Sequence, residues 1–121
     1  MRTELTAHLT LVHADITIGV IRDGDRALLI NVGDGAALRE VEGTVAGILF
    51  THHHRMVACG AHDLVAAGAA TYVPAVERQW FENPQAFWDD PQYRYGLFDL
   101  HPHHQMLAEG FRVDHALADG D

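Results

Sequence analysis

Two short runs of mostly apolar residues, 27–32 and 45–50, constrain the fold of this chain more than any other feature. Both runs are too short to cross a membrane as a helix, and turn-forming glycines lie beside them, which is typical of strands buried on both faces of a sheet. Residues 36–41, which lie between the two runs, have apolar side chains at helical spacing. This alternation of strand and helix predicts a fold of the α/β class.

The flanking residues extend the alternation in both directions. Residues 9–12 and 16–21 are rich in β-branched side chains and predict two further strands, and Asp23 and Gly24 predict a tight hairpin turn with positive φ angles. Downstream of the second run we expect a helix, a strand and a helix over residues 61–70, 71–73 and 75–81. Beyond Asn83, prolines divide a segment rich in aromatic and acidic residues, where regular structure is expected to be weaker.

The charge balance excludes two classes of partner. The chain carries 17 acidic and 8 basic residues, a formal net charge of −9 at pH 7. Nucleic acids and anionic membranes both need a concentrated basic patch, so we expect neither as a partner. A single cysteine, Cys59, excludes an intramolecular disulfide and a multi-cysteine zinc module. Because the first residues contain no apolar stretch of signal-peptide length, we expect a soluble, cytoplasmic protein.

Three consecutive histidines follow the second apolar run. Alternate residues of an extended backbone share a face, so His52 and His54 are expected on one side and His53 on the other, as a surface or supporting group. Two imidazoles at the carboxyl end of a strand can chelate a divalent ion such as Zn²⁺. We therefore predict His52 and His54 as metal ligands. The competing interpretation is that this pair has only a structural role.

Two segments resemble motifs of the metallo-β-lactamase fold superfamily, which includes glyoxalase II-like and lactonase-like hydrolases. Residues 27–33, ALLINVG, are similar to the family's LLIDxG strand and loop, and residues 51–57, THHHRMV, are similar to its THxHxDH motif. The family's domain is an αββα sandwich of two similar halves. The resemblance implies that residues 1–121 form a single N-terminal half domain, a mixed sheet with helices on one face.

The resemblance also implies a chemistry, in which a metal-activated water attacks an ester, lactone, thioester or amide carbonyl. His52 and His54 match ligands of the family's first metal, which implies one zinc ion per site. Met56 and Val57 replace an Asp and a His that bind a second metal in the family, and Asn31 replaces an Asp, so we expect no ordinary second zinc site. A catalytically inactive binding or assembly subunit is the alternative.

A half sandwich would leave one face of its sheet uncovered. Apolar strands must bury that face, because exposed apolar surface of this extent drives association. We therefore expect a second chain that supplies the missing half, or self-association into an oligomer. Packing against a second half domain or a second copy of the chain would cover the exposed face.

Two other features carry alternatives. His101, His103 and His104 could chelate a metal, but Pro102 and the loop-like composition around it favour solvated surface histidines. If this cluster were the main site, the chain would be a small histidine-rich metal-binding protein; we expect metal binding to depend on the strand-end pair instead. Cys59 could be a nucleophile or a substitute ligand, whereas its small apolar neighbours favour an inert packed thiol.

Overall fold

A computed structural model of the protein describes residues 1–94 and 106–121, with the side chains of Trp88, Tyr93 and Arg94 left aside. The strands are β1 (Arg2–Glu4), β2 (Leu9–His13), β3 (Thr17–Asp23), β4 (Arg26–Ile30), β5 (Thr44–Leu49), β6 (Ala70–Pro74) and β7 (His115–Leu117). The α-helices are α1 (Arg55–Ala58), α2 (His62–Ala66), α3 (Arg78–Glu82), α4 (Gln85–Asp89) and α5 (Pro91–Arg94). Two short 3₁₀ helices span Ala36–Glu40 and Ala75–Glu77.

The seven strands form one mixed sheet whose spatial order is the chain order, β1 to β7. The first four strands pair antiparallel and the last four pair parallel, with β4 belonging to both sets. Antiparallel neighbours need only short turns, whereas parallel neighbours need crossover segments, and the helices of this chain lie in those segments. The predicted α/β class with a mixed sheet is confirmed.

The hairpin between β3 and β4 forms one residue later than predicted. Asp23 still pairs with Arg26, so Gly24 and Asp25 make the two-residue loop. Gly24 has a φ of 63°, while Asp23 and Asp25 are not in the left-handed region. A glycine with positive φ at the first loop position is the pattern of a type II′ turn, which matches the twist of the flanking strands.

The hydrophobic core lies on one face of the sheet. Alternate residues of the strands point to this face and are fully buried, among them Val12 on β2, Ile18 on β3, Leu29 on β4 and Ile48 on β5. The helices and the segment around Phe111 cover them and complete the core. Helices therefore lie on one face of the sheet, as predicted.

The opposite face of the sheet is apolar but lies outside this core. Its side chains alternate along the strands with those that point into the core. Seven of these residues are apolar or aromatic and are not part of the core cluster: Leu9, Leu11, Ile21, Leu28, Ile30, Leu49 and Tyr72. We refer to these seven residues as the open face. Within the described chain, Leu28 and Ile30 are only half-buried, so residues 27–32 are covered on the core face alone and their burial on both faces stays a prediction.

Two glycines make the open face flat. A Cβ on Gly19 would come within 3.1 Å of Ile30, and a Cβ on Gly47 would come within 3.1 Å of both Leu28 and Tyr72. The aliphatic and aromatic side chains of neighbouring strands thus lie across the two glycines. The result is a continuous apolar surface rather than isolated exposed residues.

Several elements differ from the sequence prediction. The helix predicted over 61–70 is reduced to α2, because Gly68 adopts a φ of 104° and ends the helical path before β6. The helix predicted over 36–41 is a 3₁₀ helix, and the helix predicted over 75–81 begins with a 3₁₀ turn. Strands β1 and β7 were not predicted, since each has three residues and depends on pairing with a distant segment. No helix in the described residues is both long and apolar enough to cross a membrane.

Candidate metal centre

The three consecutive histidines lie between β5 and α1, at the carboxyl edge of the parallel strands. Phe50, directly after β5, donates its N–H to the carbonyl oxygen of Tyr72 on β6 at 2.8 Å. Asn31, directly after β4, donates its N–H to the carbonyl oxygen of Leu49, also at 2.8 Å. These bonds hold residues 51–54 between the ends of two neighbouring strands, where ligands bind in many open α/β sheets.

The imidazole rings of His52 and His54 lie next to each other, as the alternation of side chains predicts. Their centroids are 4.8 Å apart and their planes are inclined at 75°. Two imidazoles on one tetrahedral ion, with Zn–N distances of about 2.0–2.1 Å, have ring centroids roughly 5 Å apart. The 4.8 Å separation of the two rings is therefore compatible with one shared zinc ion.

His52 and His54 would supply two of the four ligands that a tetrahedral zinc ion needs. Within residues 1–94 and 106–121, no three His, Cys, Asp or Glu side chains converge in a group that could hold an ion. His101, His103 and His104 lie outside the described residues. The chemistry of the pair fits zinc, because neutral imidazole is a preferred zinc ligand, but the other positions need donors beyond this pair.

A hydrogen-bonded network supports His52. The side-chain oxygen of Asn31 accepts the backbone N–H of Thr51 at 3.0 Å, and its amide nitrogen donates to the Thr51 hydroxyl at 3.0 Å. That hydroxyl lies 2.9 Å from Nδ1 of His52. Asn31 has a φ of 62°, a conformation that asparagine tolerates better than most residues. Sequence analysis treated Asn31 only as a departure from the motif and missed this network.

His53 is buried behind the pair rather than exposed at the surface. Its ring packs edge-on against Phe81, with centroids 4.9 Å apart, and its backbone N–H donates to the carboxylate of Glu77 at 2.8 Å. Neither ring nitrogen makes a hydrogen bond of good geometry with a described residue. Burial and, to a smaller extent, the nearby imidazoles of His54 and His52 lower the pKa of His53 to about 4, against an opposing contribution from the backbone of Trp80.

This burial predicts that the metal-free protein loses stability in mildly acidic solution. Between pH 6.5 and 4 the unfolded chain binds a proton at His53 that the folded chain does not, so unfolding becomes easier as the pH falls. At about 1.4 kcal/mol per pKa unit, the expected loss of unfolding free energy is about 2 to 3 kcal/mol. Urea unfolding at a series of pH values, with a chelator present, measures it.

The matched control for this pH dependence is His53→Phe, which keeps an aromatic ring against Phe81 but cannot be protonated. We expect its unfolding free energy to vary much less over the same pH range. The comparison is confined to pH values above about 5, where the ordinary carboxylates are mostly ionised. An equally steep loss in His53→Phe would show that other groups cause the acid sensitivity.

The two positions that depart from the family motif differ in their surroundings. Met56 is 57% exposed, so its thioether faces solvent. Val57 is buried in the core, and its carbonyl oxygen accepts the N–H groups of Val32 and Gly33 at 3.0 and 3.1 Å. These two hydrogen bonds connect α1 to the loop after β4. The aliphatic side chain of Val57 has no atom that can bind a metal.

Cys59 is a packed thiol in this structure. Its Sγ donates to the carbonyl oxygen of Gly33 at 3.6 Å, and burial raises the pKa of the thiol. A thiol with a raised pKa is mostly protonated at neutral pH and is a weak nucleophile. The geometry thus favours the structural interpretation of Cys59. His62, nearby on α2, bonds through Nε2 to the carbonyl oxygen of Glu109 at 3.0 Å and is similarly structural.

Comparison with known proteins identifies similarity at the level of structure. No family model matches the sequence, and no curated protein matches it. BJP-1, a subclass B3 metallo-beta-lactamase of Bradyrhizobium japonicum, is similar with a TM-score of 0.73 and 17% identity, over 99% of this chain and 46% of BJP-1. TMB-1, whose structural study addresses substrate and inhibitor binding, is similar with a TM-score of 0.53 and 16% identity, over 99% of this chain and 56% of TMB-1.

Identities this low establish the fold alone. The chain spans about half the length of both solved structures, so their whole-protein properties are not transferred to it. The mixed sheet and the helices on one face agree with the resemblance found in the sequence. The protein has the metallo-β-lactamase fold, over about half the length of the structures it resembles.

Proposed function

We propose that the chain is the metal-bearing part of a zinc-dependent hydrolase that acts on an ester, lactone, thioester or amide. The observation that carries the proposal is the pair of imidazoles at the end of β5, whose centroids are 4.8 Å apart in a chain of this fold. A zinc ion bound there would supply a water of lowered pKa and would polarise a carbonyl group. No redox chemistry is required.

The chain's own residues hold and orient the two ligands. His54 has an extended backbone at the start of α1, which keeps its ring on the same side as that of His52. Burial lowers the pKa of His54 and His52 lowers it further, which outweighs the opposing effect of Glu77. A lowered pKa keeps the imidazole neutral, the form that binds metal, into mildly acidic solution.

The alternative function is a catalytically inactive subunit of the same fold. The exposed thioether of Met56 and the buried side chain of Val57 favour it, because neither offers the hard or imidazole donor of the family motif. Zinc titration of the purified protein, followed by a metal count, discriminates between the two functions. About one tightly held ion per site supports the hydrolase, and no bound zinc supports the inactive subunit.

We also propose that a second β-sheet, from the complementary half of a metallo-β-lactamase-like sandwich, covers the open face. More than half of BJP-1 has no counterpart in this chain, which supports this occupant. The sheet positions of the open face also carry few charges although the chain as a whole is strongly acidic. At about 25 cal/mol per Å², covering roughly 400 Å² would contribute on the order of 10 kcal/mol.

The open face predicts association of the purified 121-residue chain. We expect it to bind an apolar dye and to sediment as species larger than 13.4 kDa at micromolar concentration. Leu28→Asp should reduce both effects without unfolding the chain, because Leu28 is outside the core cluster. Val76→Asp is the matched control, since Val76 is 83% exposed on the 3₁₀ helix that follows β6 and is not one of the open-face residues.

Sedimentation velocity and dye fluorescence measure this association. A discrete dimer would identify a second copy of the chain as the covering sheet. A well-folded monomer that binds no dye would show that the open face needs no partner and would contradict the proposal.

A further inference from the structure

The segment after β6 contacts His53 at two points. The carboxylate of Glu77, in the 3₁₀ helix that follows β6, accepts the backbone N–H of His53 at 2.8 Å. Phe81, four residues further along in α3, packs edge-on against the His53 ring, with centroids 4.9 Å apart. A single segment of the chain therefore contacts both the backbone and the ring of the histidine that lies between His52 and His54.

The Glu77 carboxylate differs from the neighbouring acceptors that hold this stretch of backbone. The N–H of Phe50 bonds to the backbone carbonyl oxygen of Tyr72. The N–H of Thr51 bonds to the side-chain amide oxygen of Asn31 at 3.0 Å. Both of these acceptors are neutral, whereas a carboxylate accepts shorter and stronger hydrogen bonds, and the 2.8 Å bond of Glu77 has the length typical of them.

Water is a poor substitute for this acceptor, because His53 is only 3% exposed. A buried N–H that loses its partner is unfavourable, so the backbone at His53 would move to reach another acceptor. The side chains of His52 and His54 project from the same extended stretch of backbone and would move with it. The spacing of their rings, with centroids 4.8 Å apart, thus depends on the hydrogen bond to Glu77.

We infer that Glu77 is a positioning residue of the candidate metal centre. Its carboxylate fixes the backbone between the two candidate ligands and thereby maintains the separation of their rings. Glu77 acts through this backbone and not as a ligand, since the described part of the chain brings no third His, Cys, Asp or Glu side chain to the pair. The consequence for zinc binding rests on the proposed function, whereas the hold on the backbone does not.

Amide hydrogen exchange in the metal-free protein, measured by NMR, tests the hold on the backbone. The amide of Phe50, whose acceptor is a carbonyl of β6, is the internal reference for general loosening. We expect the His53 amide to be protected in the wild-type protein. Relative to the Phe50 amide, it should exchange at least about 10-fold faster in Glu77→Ala, because hydrogen bonds to charged groups are among the stronger ones.

Two further variants separate positioning from a general structural effect. Glu77→Gln keeps a side-chain oxygen that can accept the same N–H, so it should restore most of the protection of the His53 amide. Glu82→Ala is the matched control, because it removes a carboxylate of α3 whose hydrogen bond goes to Arg78 instead. The inference is overturned if the His53 amide is unprotected in the wild-type protein, or if Glu77→Ala leaves its relative exchange rate unchanged.

Zinc titration of the same four proteins distinguishes this inference from the proposed function. Residues that support a metal-binding histidine typically change metal affinity about 10- to 100-fold, so Glu77→Ala should bind zinc at least about 10-fold more weakly than wild type and Glu82→Ala. Glu77→Gln should recover most of this loss. If wild type binds no zinc, the proposed function fails while amide exchange still decides whether Glu77 holds the backbone. If Glu77→Gln binds as weakly as Glu77→Ala, or if Glu77→Ala binds as tightly as wild type, the positioning role is overturned.

Discussion

Zinc affinity is expected to fall by more than about 100-fold when either His52 or His54 is replaced by alanine, because loss of a direct ligand exceeds the usual 10- to 100-fold effect of a supporting residue. The centroids of the two rings are 4.8 Å apart, a separation compatible with one shared ion. One remaining imidazole would bind zinc no better than a surface histidine. Equilibrium dialysis followed by elemental analysis measures the loss.

Two control variants test whether this loss is specific. His8→Ala removes an exposed histidine far from the pair and is expected to leave zinc affinity unchanged. His103→Ala tests the second histidine cluster, which lies outside the described residues, and is also expected to have little effect. Equal losses in His52→Ala and His103→Ala, or a loss in His103→Ala alone, would contradict the assignment of the metal site to the strand end.

Phe50→Ala is expected to lower the free energy of unfolding by about 3–5 kcal/mol, the usual cost of removing a buried phenylalanine ring. Phe50 is 1% exposed, and its ring lies 5.3 Å from the rings of both Phe81 and Phe111. Those two rings are themselves 5.8 Å apart, so the three form one aromatic cluster. Truncating Phe50 would leave a cavity that three separate segments border.

Urea unfolding monitored by far-ultraviolet circular dichroism measures this effect. Phe50→Leu is the graded control, because it keeps a large apolar side chain and should cost less than Phe50→Ala. A loss below about 1 kcal/mol in Phe50→Ala would show that the aromatic cluster is not part of the cooperative core.

The aromatic cluster also connects the stability of the core to the metal centre. Phe50 lies two residues before His52, and the rings of Phe81 and His53 pack with centroids 4.9 Å apart. We therefore expect a destabilised cluster to loosen the loop that presents His52 and His54. Preorganisation of ligands in this way is what a metal site requires from its surroundings.

Several features of the protein followed from sequence patterns alone. The apolar runs 27–32 and 45–50 predicted two strands, which are β4 and β5 in the structure and pair in parallel. Side-chain alternation predicted that His52 and His54 would share a side, and their rings lie next to each other. These features depend on chain-local properties, namely hydrophobic periodicity and the geometry of an extended backbone, so a short window of sequence contains them.

Other features were decided only by contacts between distant segments. β7 exists because it pairs with β6, where His115 stacks on Tyr72 with ring centroids 4.5 Å apart. His53 is buried because Phe81 covers it. Asn31 supports His52 because the loop after β4 meets the segment after β5. Sequence periodicity predicts which side of a strand a residue occupies, but burial and hydrogen bonding depend on which remote segment packs there, and that is determined by the tertiary structure.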